Sequence, residues 1–135
     1  AVNTWSGQVH FMAAPSGVSK HFLAFLEQLL AAYPDRRLSV GLDNWGVHAG
    51  HEARAFYARH AERLEVVWLP TYAPWLMAQE KIWKWMRAFV THRHPFATLA
   101  QVLEHFWNWA RDLAQAPQQV LDRIRKFVPA PDHAQ

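Results

Sequence analysis

Two short apolar runs, Leu38-Ser39-Val40-Gly41-Leu42 and Leu64-Glu65-Val66-Val67-Trp68-Leu69, constrain this chain more than any other feature. Both are too short for helices and suit buried strands. Between them, residues 50–63 place Ala53, Phe56/Tyr57 and Ala61 at helical spacing. Strand, helix, strand implies a parallel pair joined by a right-handed crossover. An α/β fold is expected, and open parallel sheets bind their ligands beyond the carboxyl ends of the strands.

The flanks read mainly as helix. Residues 1–14 suggest a hairpin of two short strands about a Ser6-Gly7 turn. Ser19 to Tyr33 reads as an amphipathic helix, with Ser16 or Ser19 as N-cap and Pro34 closing it. Pro70 and Pro74 make the segment after the second run irregular. Three helices are expected beyond it: Met77 to about Val90, Thr98 to Ala114 opened by a Thr98-x-x-Gln101 capping box, and one starting at Pro117. The last turns Val120, Leu121 and Ile124 inward and stops before Pro129, leaving 129–135 as a frayed tail. Trp68, Trp83, Trp85, Trp107 and Trp109 are expected to build the core rather than a base-stacking platform.

At 135 residues the chain is one domain's worth, and 51% hydrophobic content excludes disorder for most of its length. No apolar run approaches the roughly 20 residues of a membrane span, and the first residues lack the pattern of a signal peptide. A cytoplasmic chain with no membrane partner is expected. The lack of cysteine excludes disulfides, thiolate zinc sites and cysteine nucleophiles, so a metal must sit on oxygen or imidazole.

Asp43 stands directly after the first strand, with Asn44 and His48 adding polar groups at the same edge. Position alone also allows Asp43-Asn44 simply to turn the chain. Glu80 lies early in the helix that follows the second strand and its loop. Two carboxylates converging above the sheet would suit a hard divalent cation, although Glu80 paired with Lys84 on a helix surface is the simpler alternative. The histidine pairs His48-x-x-His51 and His92-x-His94 lack a third ligand at motif spacing, which favours scattered histidines over a zinc site.

Residues 1–67 carry six basic and six acidic side chains, and residues 68–135 carry eight and five, so the net charge of +3 arises in the second half. Lys81, Lys84, Arg87 and Arg93, interleaved with Trp83, Trp85, His92 and His94, have no acid among them between Glu80 and Glu104. That pattern suits phosphate contacts, which supply affinity without reading sequence. A solvated helix face is the alternative.

The strings Leu42-Asp43-Asn44-Trp45-Gly46-Val47-His48, Leu69-Pro70-Thr71-Tyr72-Ala73-Pro74-Trp75-Leu76 and Glu80-Lys81-Ile82-Trp83 together resemble the catalytic domain of DDE transposases of the mariner-like insertion-sequence superfamily. The resemblance covers most of the chain. It implies an RNase H-like (retroviral-integrase-type) sheet with flanking helices and a helical C-terminal third, over a partial domain at 1–128. Asp43 and Glu80 correspond to the second and third members of the family's metal-binding acidic triad, with 36 residues between them, a spacing typical of the family. Asn44 and His48 become candidates for supporting Asp43. Mg²⁺ or Mn²⁺ is the implied cofactor, with no small-molecule cofactor, and DNA is the implied partner, contacted by Lys81, Lys84, Arg87 and Arg93.

The chain departs from the pattern in two places. Met77-Ala78-Gln79 stands where the family has Asn-Pro-Ile, and Ala73 stands for its serine. The family's first aspartate lies on a strand upstream of the hairpin, whereas no Asp or Glu precedes Glu27 here, and Asn3 is an uncharged stand-in at best. The expectation is a fragment of a prokaryotic, nucleoid-associated DNA transposase catalytic domain, inactive alone. The alternative is a non-catalytic remnant that binds DNA or self-associates, and an unrelated small-ligand binder lacks a Gly-rich phosphate loop. Loss of a central strand exposes sheet edges, to be closed by the chain's own hairpin, by a second copy or by aggregation, and of these a homodimer is expected.

Overall fold

The computed structural model describes residues 1–71, 78–92 and 95–125. The chain packs as two compact units, one formed by residues 12–71 and one by residues 1–11 with the described residues from 78 onward. The expected domain at 1–128 takes in both, and the tail at 129–135 lies outside the described residues.

The first unit runs α1 (Ser19–Ala32), β1 (Leu38–Leu42), α2 (Gly46–Ala49), α3 (His51–Arg59) and β2 (Leu64–Trp68). The expected parallel pair forms, with Leu38 opposite Leu64 and Leu42 opposite Trp68. The Leu69 N–H bonds the Leu42 carbonyl one step further on. Helices α1 and α3 pack together, and α3 also packs on β2. Leu26, Leu29, Leu30, Leu42, Ala53, Phe56 and Leu64 are buried. Arg63, just before β2, donates to the carbonyls of Leu30, Tyr33 and Arg36, satisfying carbonyls that the end of α1 leaves free.

Several local expectations are corrected. Val18, not Ser16 or Ser19, is the N-cap of α1, and no side chain caps it. The helix expected over 50–63 is shorter and preceded by the separate turn α2, because Gly50 is extended between them. It ends at Arg59, where His60 Nδ1 bonds the Phe56 carbonyl, and Ala61 is exposed beyond it. The strands are not buried on both faces. Ser39, Gly41, Glu65 and Val67 are exposed while Leu42 and Leu64 are buried, the alternation of a half-covered sheet. Among the described residues β1 pairs only with β2.

The second unit holds the N-terminal hairpin, α4 (Ala78–Met86), a π-helical segment (Arg87–Thr91), α5 (Leu99–Ala114) and α6 (Pro117–Arg125). The hairpin is reduced to one antiparallel bridge, Val2 to Val9. Its turn is built as expected around Gly7, whose φ of +77° favours glycine, and a Cβ there would collide with the Pro117 carbonyl oxygen. Asn3 Oδ1 accepts from the N–H groups of Trp5 and Ser6, so it serves the turn. Val2, Val9 and Phe11 pack on a core of Ile82, Leu113, Val120, Leu121 and Ile124.

The helix expected to reach Val90 changes to π geometry at Arg87, where the His92 N–H and the Thr91 hydroxyl share the Arg87 carbonyl. Thr98 caps α5 as expected by accepting from the Gln101 N–H, but the Gln101 side chain accepts from Ala97 rather than from its own cap. Trp83, Trp85 and Trp109 are half-buried in an aromatic cluster with Phe11 and Phe106. Trp68 and Trp107 are exposed, against the expectation of five core tryptophans. Among the described residues no helix is long and apolar enough to cross a membrane.

Candidate functional site

The parallel pairing ends at Leu42, and the next residue begins a tightly bonded turn. Asp43 Oδ1 accepts from the Trp45 N–H at 3.2 Å, an Asx turn that leads into α2. One turn of α2 returns the His48 ring to the same carboxylate, with Nδ1 2.8 Å from Oδ1 and 3.3 Å from the Asp43 carbonyl oxygen. Both neighbours of Nδ1 are acceptors, which assigns the ring hydrogen to that nitrogen. Oδ2 takes part in none of these bonds. The Asp43 side chain is 50% exposed and that of His48 only 14%.

The surroundings hold this corner in place. The His48 ring lies 4.5 Å from the Phe22 ring and meets Trp45 edge-on at 5.3 Å. Gly17 makes room for Trp45, since a Cβ at Gly17 would come within 2.7 Å of the indole. Tyr57 donates its hydroxyl to the His48 carbonyl at 2.6 Å, and burial raises its pKa above the ordinary value, with Arg54 opposing. Asn44 Nδ2 donates to Thr71 Oγ1 at 2.9 Å, tying the turn after β1 to the loop after β2. The structure thus brings Asp43 and His48 together, as their spacing suggested, while the Asn44 side chain bonds to Thr71.

Glu80 belongs to the second unit. It is half-buried in the first turn of α4, where the helix N-terminus favours a carboxylate, and it forms no ion pair with Lys84 among the described residues. Its neighbour Gln79 has a side-chain amide whose nitrogen and oxygen are both buried with no hydrogen-bond partner among the described residues.

The proposed DNA contacts divide. Lys84 and Arg87 are exposed. Lys81 is not a free surface cation, because its ammonium donates to the Ile124 carbonyl near the end of α6 at 2.6 Å and desolvation lowers its pKa. Arg93 lies outside the described residues, as do Tyr72 to Met77 of the double-proline motif. A further cation went unrecognised in the sequence: the Arg123 guanidinium sits 4.3 Å above the Trp85 ring, which sets it beside α4. Its only signal was helical phase, and phase alone does not reveal the facing helix.

The donor chemistry at Asp43 fits a hard cation, since it offers a half-exposed carboxylate oxygen outside the local bonds. Among the described residues no group of three or more His, Asp or Glu is placed to hold a metal.

This mixed α/β chain, with a small parallel sheet ending in a carboxylate, falls into a known class. A model of the DDE superfamily endonuclease family matches residues 1–103, and the chain belongs to that family. It is also similar to the insertion element IS630 uncharacterized 39 kDa protein of Shigella sonnei, 22% identical over 118 residues, which is 87% of this chain and 34% of that protein. The chain therefore spans about a third of that relative's length. No solved structure matches. The family expected from the three motifs is borne out.

Proposed function

We propose that this chain is part of a DNA transposase catalytic domain of RNase H-like fold, with Asp43 and Glu80 as two carboxylates of a divalent-cation site. The observation that carries the reading is Asp43 at the end of β1 in a chain of the DDE endonuclease family, held by His48 with one oxygen outside its local bonds. Bound Mg²⁺ or Mn²⁺ would supply charge stabilisation to phosphoryl oxygens and lower the pKa of a coordinated water. The chain's own part is to hold these carboxylates and to bind phosphates electrostatically, through Lys84, Arg87 and the neighbouring Arg123. Lys81 braces α6 in this scheme.

A chain with two of the three triad carboxylates is expected to bind duplex DNA without cutting it efficiently. This fits a cytoplasmic protein acting at the nucleoid. Plasmid relaxation in Mg²⁺ or Mn²⁺ tests this, together with duplex binding with and without Mg²⁺. The expected result is intact supercoiled plasmid, and binding strengthened by Mg²⁺ in the parent but not in Asp43→Asn or Glu80→Gln. Equal Mg²⁺ responses in all three would remove the cation site, and divalent-dependent nicking abolished by Asp43→Ala would make the chain an enzyme rather than an inactive part of one.

The second edge of β1, which has no partner strand among the described residues, favours a homodimer in which a second copy supplies a strand. Size-exclusion chromatography with light scattering should give a dimer mass, and a monomer at high micromolar concentration would reject that assembly.

A further inference from the structure

We infer that His48 is a positioning residue that commits one oxygen of Asp43 to the protein and reserves the other for the cation, an inference that rests on Asp43 being a metal ligand. A carboxylate free to rotate can present either oxygen or both to a cation, and each geometry places the ion differently. Here the choice is made before any ion arrives. Oδ1 receives two donors, the Trp45 N–H and His48 Nδ1, which fix the carboxylate plane and fill the coordination sites of that oxygen. The arrangement makes Asp43 a one-oxygen ligand through Oδ2.

His48 suits this task because its ring has little freedom. It is contacted by Phe22 and Trp45, its side chain is largely buried, and its own carbonyl is held by the Tyr57 hydroxyl. Phenylalanine would fill the same space against Phe22 and Trp45, so what histidine adds at this position is the ring nitrogen aimed at the carboxylate. Partners that orient a metal ligand in this way typically affect metal affinity by about 10–100-fold.

The test is Mn²⁺ binding by the whole chain, measured by electron paramagnetic resonance of the free ion, with thermal melting as a check on folding. His48→Phe keeps an aromatic ring against Phe22 and Trp45 but removes the donor. His48→Asn gives up the ring but can place an amide N–H near the position of Nδ1. The expected result is about 10–100-fold weaker Mn²⁺ binding in His48→Phe, with most of the affinity recovered in His48→Asn. Parent-like binding in His48→Phe, or equal losses in both variants, would overturn the positioning role. Asp43→Asn separates the two levels: its loss of binding with His48→Phe unaffected defeats only the role of His48, whereas undiminished binding in Asp43→Asn defeats the metal-ligand assignment beneath it.

Discussion

Replacing Lys84 and Arg87 together by alanine should change how DNA binding responds to salt while leaving the fold in place. Both side chains are exposed, and no ion pair or hydrogen bond from either is seen among the described residues. Each phosphate neutralised on a duplex contributes about −0.9 to the slope of log affinity against log salt, so losing two contacts flattens the slope by about 1.8. Over the fourfold change from roughly 50 to 200 mM salt, the parent should then lose about tenfold more affinity than the variant. Lys81→Met is the contrasting perturbation. It removes a charge-assisted bond to the Ile124 carbonyl while keeping the apolar stem, and relief of the ammonium's desolvation offsets part of the loss. A net cost of about 1 kcal/mol corresponds to a fall in melting temperature of about 3–5 °C for a chain of this size. Its salt slope should stay at the parent value. Fluorescence anisotropy with a mixed-sequence duplex across a salt titration measures the slopes, and circular dichroism measures the melting. An unchanged slope in the double variant, with a flattened one in Lys81→Met, would refute this division of the basic residues.

Gly7→Ala should destabilise the chain by about 2–4 kcal/mol, since it adds left-handed backbone strain to a contact with the Pro117 carbonyl; a falling urea midpoint checks this. Gln79→Met should raise the melting temperature, because it replaces a buried amide that has no partner among the described residues by an apolar chain of similar volume, and an unsatisfied group of this kind costs about 1–3 kcal/mol. Tyr57, with its folded pKa raised, favours the fold in its neutral form. That stability is complete below the ordinary value of 10.0 and is lost as pH rises through the folded value. Absorbance titration should show a late-ionising tyrosine phase, and Tyr57→Phe should remove it.

The legible part of the fold was the part written in local periodicity. Leu38–Leu42 and Leu64–Trp68 declared themselves as strands, and Val120, Leu121 and Ile124 declared the inner face of α6. What escaped depended on partners distant in sequence. Arg63 reaching the end of α1, Lys81 reaching Ile124 and Arg123 stacking on Trp85 leave no periodic trace. The strands were expected to be buried on both faces because their runs are apolar, yet the alternation of Ser39 and Gly41 with Leu38, Val40 and Leu42 already matched a half-covered sheet. At the candidate site, the spacing of Asp43 and His48 placed both at one corner. The partition of the two carboxylate oxygens required coordinates.

Anomalous diffraction from crystals of the chain soaked in Mn²⁺ locates the cation relative to Asp43 and Glu80. A manganese peak is expected about 2.1 Å from Asp43 Oδ2 and from an oxygen of Glu80, with Asp43 Oδ1 still bonded to His48. A peak confined to histidine nitrogens, or Asp43 and Glu80 separated beyond the reach of one ion, would contradict it.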